Sequence, residues 1–576
     1  MNFLEQKKNW ELCTLVVFCL MVESVFANDG AHLRNGSTMR YQLEIDLDFR
    51  GASFTGRQRI GFSNSSREEV ESLFFTLYPN VGYAEEEGPW LSVQDVSLWG
   101  RTLRYSMRGR NTVLKVDLPQ KLAPGQRIEL KFDFTGRLPK IQREESSLLA
   151  HFLQEVNDAV SDERQQKDAR DIFFASEEAI LMGYFHPMLA PRQQQSVEQN
   201  VAIGLGAIVA CDAADYEVSV TTDDGVTVIS SGAAIESKPV GGAARKRVLH
   251  RFRGQNLRGF GMALAERVRS ATQQVGDVRV TSYFRESDER VGKRALGMAA
   301  NAIQSYSRAF GDYPQKQLQL IEMPLPAPYS GIEFPALVVM AQAYFIDFDS
   351  PQSARLPGVL REQSDVIRSA FEFTLAHGVA KQWWGHTVGS EPERAPYLDE
   401  SLATFAAAYY HEAVYGPDLG DKIIDQQIRG VYQAYRMLGG PDLEAEKPAK
   451  EFRNALQYTA IVQVKSALLL VALRKELGDE RFFNALRKYY AAHRFHTATP
   501  EHFRLAFFDA ADDPRPVRAL FQRWLKEKHG DEDIGAPDLT LAPPPVSKIR
   551  RLGRVFVKIG RTAAKRLNER VSVARP

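Results

Sequence analysis

His377-Gly378-Val379-Ala380-Lys381-Gln382-Trp383-Trp384, followed after a polar stretch by Tyr397-Leu398-Asp399-Glu400-Ser401-Leu402-Ala403, decides how this chain is read. On a helix His377 and Lys381 stand one turn apart and share a face. Alone, such a pair is most often an ordinary surface feature, so the weight falls on its flanks. A neutral imidazole binds metal readily, whereas a lysine ammonium must first lose its proton, at about 4 to 5 kcal/mol near neutral pH. Lys381 therefore repels a metal ion. His386 lies roughly 180° around the helix from His377 if that helix runs on. His411 is in phase with Glu400 but roughly 16 Å farther along a continuous helix. Neither completes a ligand set.

The flanks carry a resemblance. The run HGVAKQWWGHTVGSEPERAPYLDESLATF from His377 is similar to the HExxHxWxGN and WLNEGFA run of the aminopeptidase N family of gluzincin metallopeptidases, with Trp383, Gly385, Val388, Leu398, Glu400 and Ala403 at matching positions. Upstream, Gly331-Ile332-Glu333-Phe334-Pro335 resembles the family's GxMEN segment, whose Glu holds the substrate's free amino group. Downstream, Gln463-Val464-Lys465-Ser466-Ala467 and Leu477-Gly478-Asp479-Glu480-Arg481-Phe482 resemble YxKGA and LGxExF, with Gln463 where the oxyanion-stabilising Tyr belongs. The similarity runs roughly from residue 38 to residue 530.

In that family two His and a later Glu hold zinc, and the Glu of HExxH is the general base. Here the resemblance keeps His377 and Glu400 as metal-site positions and places Lys381 at the third. Two ligands do not make a catalytic zinc site. Gly378 has no side chain to activate water, a loss that costs about 10²- to 10⁴-fold in rate. Gln463 donates a weaker, differently placed hydrogen bond than a phenol. The expectation is no zinc, no catalytic residue at the degenerate positions Gly378 and Gln463, and a peptide amino group held by Glu333. Two accounts of Lys381 stay open: its ammonium replaces the metal among Glu400 and Glu333, or it has drifted and snorkels to solvent.

Composition fits a folded chain. Of 576 residues, 44% are hydrophobic and 25% charged, with a net charge of +1, so no global field points to nucleic acid or to acidic substrates. Lys7 and Lys8 precede an apolar run from Leu12 to Val22 and a small-residue site at Val25-Phe26-Ala27. This reads as a signal peptide over 1–27 and implies export, periplasmic or secreted. The mature chain then carries only Cys211, read as a core residue. Asn35-Gly36-Ser37 and Asn64-Ser65-Ser66 are sequons, meaningful in a eukaryotic secretory pathway.

The expected fold is α+β and multi-domain. Residues 28–275 form a β-rich saddle or sandwich, with period-two runs at Tyr41–Phe49, Arg127–Phe134 and Tyr216–Val220. A polar stretch from Lys140 to Arg170 interrupts it as a helical insertion or a loop. Residues 276–535 form a thermolysin-like part: a helix over Glu289–Phe310, a strand over Gln317–Ile321, the Glu333 strand, then helices from about Ser364 to Lys528. Residues 536–576 are a Pro-rich spacer and a basic tail. From Lys548 to Arg575 ten Lys or Arg face the single acid Glu569, with apolar residues at helical spacing. The tail is either a solvated basic segment or a binder of anionic membrane surface.

No GxSxG elbow, P-loop, CxxC pair or complete dinucleotide fingerprint is present, and no nucleic-acid module. The chain thus reads as an exported aminopeptidase-like protein that has lost zinc and catalysis and binds peptide or protein N-termini. Two alternatives remain: an active zinc metalloaminopeptidase with an unusual ligand set, and a non-enzymatic scaffold with a closed cleft.

Overall fold

The computed structural model describes residues 39–535 apart from 84–86, 161–164, 166–167, 192–203, 242–245 and 357. The leader over 1–27, the sequon at Asn35 and the basic tail Lys548–Arg575 lie outside the described residues.

The β-rich part is built on an eight-stranded sheet whose middle pairs strand Arg40–Asp48 in parallel with Ala214–Asp223 and antiparallel with Ser53–Ser63. Alternation along the first strand explains its seat: Tyr41, Leu43, Ile45 and Leu47 are buried, and the residues between them face outward. Two four-stranded sheets share one apolar core with it. Cys211 belongs to that core, and burial pushes its thiol up to about 12, so it is inert packing. Asn64 does not suit a glycan. It is buried, and its amide donates to the carbonyls of Glu68 and Leu122. The interruption contains helix α1 (Leu148–Val160).

A five-stranded sheet begins at Val268 and runs in the order Val268–Val275, Val278–Arg285, Gln317–Met323, Leu337–Ala341, Gly331–Phe334. Its period-two pattern serves two cores at once. Ile321, Met323, Phe334, Leu337 and Val339 face the β-rich core, while Leu318, Leu320, Val338 and Met340 face the helices. Helix α2 (Glu289–Phe310) buries Val291, Ala295, Ala299, Ile303, Tyr306 and Phe310 at helical spacing and stops at Gly311, φ +116°. Helix α3 (Ser364–Ala380) packs on α2 and on the edge strand, and Tyr306 Oη donates to Ala376 O at 3.0 Å. Helix α4 (Tyr397–Tyr415) is buried along most of its length. A helical stretch over Ser466–His493 follows, broken at Gly478. The apolar stretch Ala455–His493 has the length and composition to cross a membrane, but 72% of its most apolar window is buried within the protein, as in a core helix.

Candidate functional site

Helix α3 delivers His377 and Lys381 to one face and then ends. Lys381 is its C-terminal cap, its N–H bonded to His377 O at 3.0 Å. The chain reverses through Gly385, whose φ of +120° is a conformation that glycine adopts without a Cβ penalty. Because the helix stops, His386 does not face away as the continued helix required. It folds back, with its N–H on Lys381 O at 3.0 Å, and its ring nears the Glu333 backbone. Burial, with Lys381 and Arg258 nearby, holds its pKa down at about 3, so the ring is neutral.

Lys381 does not snorkel. It is 4% exposed, and its Nζ donates to Asp399 Oδ2 at 2.5 Å and to Glu400 Oε1 at 3.3 Å. Burial alone would depress the ammonium; the carboxylates of Asp399, Glu400 and Glu333 reverse this and hold its pKa well above the ordinary lysine value. Glu400 answers in kind. Burial pushes it up, but Lys381 first and then His377 and Gln463 hold it far below the usual carboxylate range. Lys381 is a fixed cation here.

The other expected residues gather around this pair. Gln463 Nε2 donates to Glu400 Oε2 at 2.9 Å, from a π-type turn over Thr459–Lys465. His377 Nε2 stands 3.6 Å from the same oxygen, beyond hydrogen-bond reach and without another partner. Gly378 is buried, and a Cβ there would meet Val338 Cγ1 at 3.1 Å. Glu333 sits on the edge strand Gly331–Phe334, paired with Val338 on one side. His411 is held elsewhere, its Nδ1 2.9 Å from Ala407 O and its ring stacked on Phe373.

Two residues escaped the sequence reading. Asp399 is the nearest anion to Lys381, and Ser390 Oγ donates to its other oxygen at 3.0 Å. The signal was there: an acid precedes Glu400 where the resembled run has Asn. Lys465, by contrast, is a structural cation, bonded to Asp442 Oδ1 and to the carbonyls of Leu443 and Glu527.

The donors do not fit zinc. Among the described residues no group of three His, Cys, Asp or Glu is placed to hold a metal ion, and an ammonium lies between the carboxylates where a third ligand would be. What the arrangement offers is one fixed cation against three carboxylates, Asp399, Glu400 and Glu333.

Comparison with known proteins agrees with the architecture. Residues 294–524 match the family model described as the peptidase family M1 domain. Aminopeptidase M1-D of Oryza sativa subsp. japonica is 25% identical over 280 residues, 48% of this chain and 29% of that one. Aminopeptidase M1 of Arabidopsis thaliana is 26% identical over 259 residues, 44% and 27% of the two chains. The chain thus spans less than a third of the length of these curated relatives. The solved M1 zinc metallopeptidase from Deinococcus radiodurans superposes with a TM-score of 0.55 at 15% identity, over 85% of this chain and 94% of that one. A mutant of it bound to a Tyr-Ser-Ala substrate gives 0.56, over 86% and 95%. These likenesses speak to fold.

Proposed function

We propose that this chain, which belongs to peptidase family M1, binds peptide or protein amino termini in its cleft through Glu333, without zinc and without turnover. One observation carries the reading: the Lys381 ammonium is buried between Asp399 and Glu400, in the position that a metal ligand would need. Water cannot be activated by a metal that a fixed cation displaces, and Gly378 supplies no base in its place. Glu333 keeps the position of the resembled amine-binding residue, on a strand whose outer edge can take an added peptide strand. The three carboxylates around one ammonium favour an incoming amine. The proposal extends to location: export directed by residues 1–27, and contact of the Lys548–Arg575 tail with anionic membrane surface.

The test is calorimetry with a short peptide bearing a free amino terminus, its acetylated form, and the Glu333→Ala variant. The free peptide binds, and acetylation or Glu333→Ala weakens it by about 10- to 100-fold, as loss of a charge-assisted hydrogen bond does. Equal binding of both peptides would overturn the amine site, and no binding at all would leave a scaffold with a closed cleft. Stoichiometric zinc with chelator-sensitive hydrolysis of an aminoacyl reporter would instead make the chain an active peptidase.

A further inference from the structure

We propose that the rim of the β-rich part from Trp99 to Asn111 is a docking surface for an anionic lipid bilayer, with Trp99 entering the headgroup layer and Arg101, Arg104 and Arg110 meeting the lipid charges. This contact is separate from that of the Lys548–Arg575 tail, and it needs no peptide binding.

Strands Arg101–Thr102 and Tyr105–Arg108 are the outermost members of the eight-stranded sheet and of one four-stranded sheet, so the stretch that holds them runs along the rim of both. Among the described residues no strand pairs beyond them. Strand Leu91–Leu98 turns into Arg101–Thr102 through Trp99 and Gly100, with Leu98 opposite Arg101. Both turn residues have positive φ, +52° and +78°. Asn-Gly is the pair that such a tight hairpin turn favours, and a bulky side chain at its first position is strained. Trp99 is nevertheless 71% exposed, more than any other large apolar side chain described, and a Cβ on Gly100 would meet nothing within 4 Å. The tip thus carries an aromatic ring that no packing within the protein holds. Its conformation costs stability and its burial returns none, which marks it for an external partner.

Charge along the rim decides the kind of partner. Trp99–Asn111 contains four arginines and no Asp or Glu, in a chain whose net charge is +1. Arg101, Arg104 and Arg110 are exposed and make no ion pair among the described residues. Asp95 and Asp117 stand near, and both are engaged: Asp95 accepts from Thr102 Oγ1 at 3.0 Å, and Asp117 pairs with Lys115 at 2.7 Å. Met107 adds a second exposed apolar side chain to the same strip. Arginines beside a lone protruding tryptophan suit the interface of an anionic membrane, where an indole sits among the headgroups. A nucleic acid strand calls instead for several aromatic platforms. The neighbouring rings do not serve as such: Tyr105 Oη donates to Val93 O at 3.3 Å and to Gln94 O at 3.2 Å, and the Trp90 ring is covered by the Arg137 guanidinium at 4.9 Å.

The test is co-sedimentation of the full chain with vesicles of phosphatidylglycerol and phosphatidylcholine in equal parts, and with phosphatidylcholine alone, for the native chain, for Trp99→Asn, and for Arg101→Gln with Arg104→Gln. The native chain binds the anionic vesicles only. Trp99→Asn weakens that binding by about tenfold through loss of the inserted ring, and it raises the thermal midpoint because asparagine suits the turn. The arginine double variant weakens binding by about 25-fold at low salt, near fivefold for each cation. The proposal is overturned if the native chain ignores anionic vesicles, or if both variants bind as the native chain does, which would leave the contact to the tail alone. It is also overturned if Trp99→Asn melts earlier than the native chain, which would make the ring part of the packing. Preference for single-stranded DNA over vesicles, unchanged by Trp99→Asn, would overturn it in favour of a nucleic acid partner.

Discussion

Lys381 Nζ is 2.5 Å from Asp399 Oδ2, closer than to Glu400 Oε1 at 3.3 Å, so the counter-ion of the buried ammonium is chiefly a residue outside the two-His-and-Glu set of the resembled zinc site. Lysine and aspartate stand here as a matched pair, each able to be buried because of the other.

Removing one member exposes that dependence. Lys381→Met leaves two buried carboxylates uncompensated and destabilises the fold by about 3 to 5 kcal/mol. Adding Asp399→Asn recovers part of the loss. Urea unfolding near neutral pH measures both, and a Lys381→Met variant as stable as the native chain would remove the pairing argument.

Restoring a metal site needs more than ligands. The native chain, dialysed against zinc and then against buffer, retains no stoichiometric metal. Gly378→Glu with Lys381→His gains zinc affinity only when Val338→Ala accompanies them, because the new Cβ meets Val338 Cγ1 at 3.1 Å. Elemental analysis of the dialysed proteins decides it.

Acid acts through buried imidazoles, His186 and His386 among them. Burial holds His186 at about 3, and burial with Lys381 and Arg258 holds His386 at about 3, against an unfolded value near 6.5. Both are depressed, so the unfolded chain binds protons first and stability is lost as pH falls from 6.5 toward 3. Each contributes a slope of about 1.4 kcal/mol per pH unit in that window. Denaturant midpoints across the window check the fall, and His186→Phe reduces its slope.

Alkali acts through Glu322. Burial first, and then Asp288, raises this carboxyl to about 8, while Glu322 Oε2 accepts from Arg285 N at 3.0 Å. The folded value lies above the unfolded one, so the contribution is complete below about 4.5 and is lost as pH rises toward 8. Glu322→Gln flattens that limb of the stability profile. An unchanged limb in the variant places the titration elsewhere.

Much of the framework was legible because its periodicities are clean. Tyr41 to Leu47 alternate as a half-buried strand must, and α2 ends where Gly311 permits a left-handed turn. His377 and Lys381 share a face because they lie within one helix up to its cap. The placement of His386 was not legible, since continuing the helix past Ala380 was an assumption that the Gly385 reversal breaks. Asp399 was hidden for another reason. Its partner lies 18 residues away across that reversal, and nothing local announces a contact between side chains on two different helices. The insertion was visible as a polar interruption, but its bonds, Ala327 N to Glu145 O and Ala455 N to Gln165 Oε1, join residues far apart in sequence, on which local pattern is silent.

Glu333 and Phe334 are adjacent in the chain yet answer to different masters. Phe334 is wholly buried in the β-rich core, wedged where a Cβ on Gly183 or Gly261 would overlap its ring. The next residue back carries the carboxylate facing the Lys381 cluster. A change as slight as a methyl group at either distant glycine would therefore be transmitted along one peptide unit to the recognition carboxylate. Tuning of ligand preference in this fold can come from positions that never see the ligand.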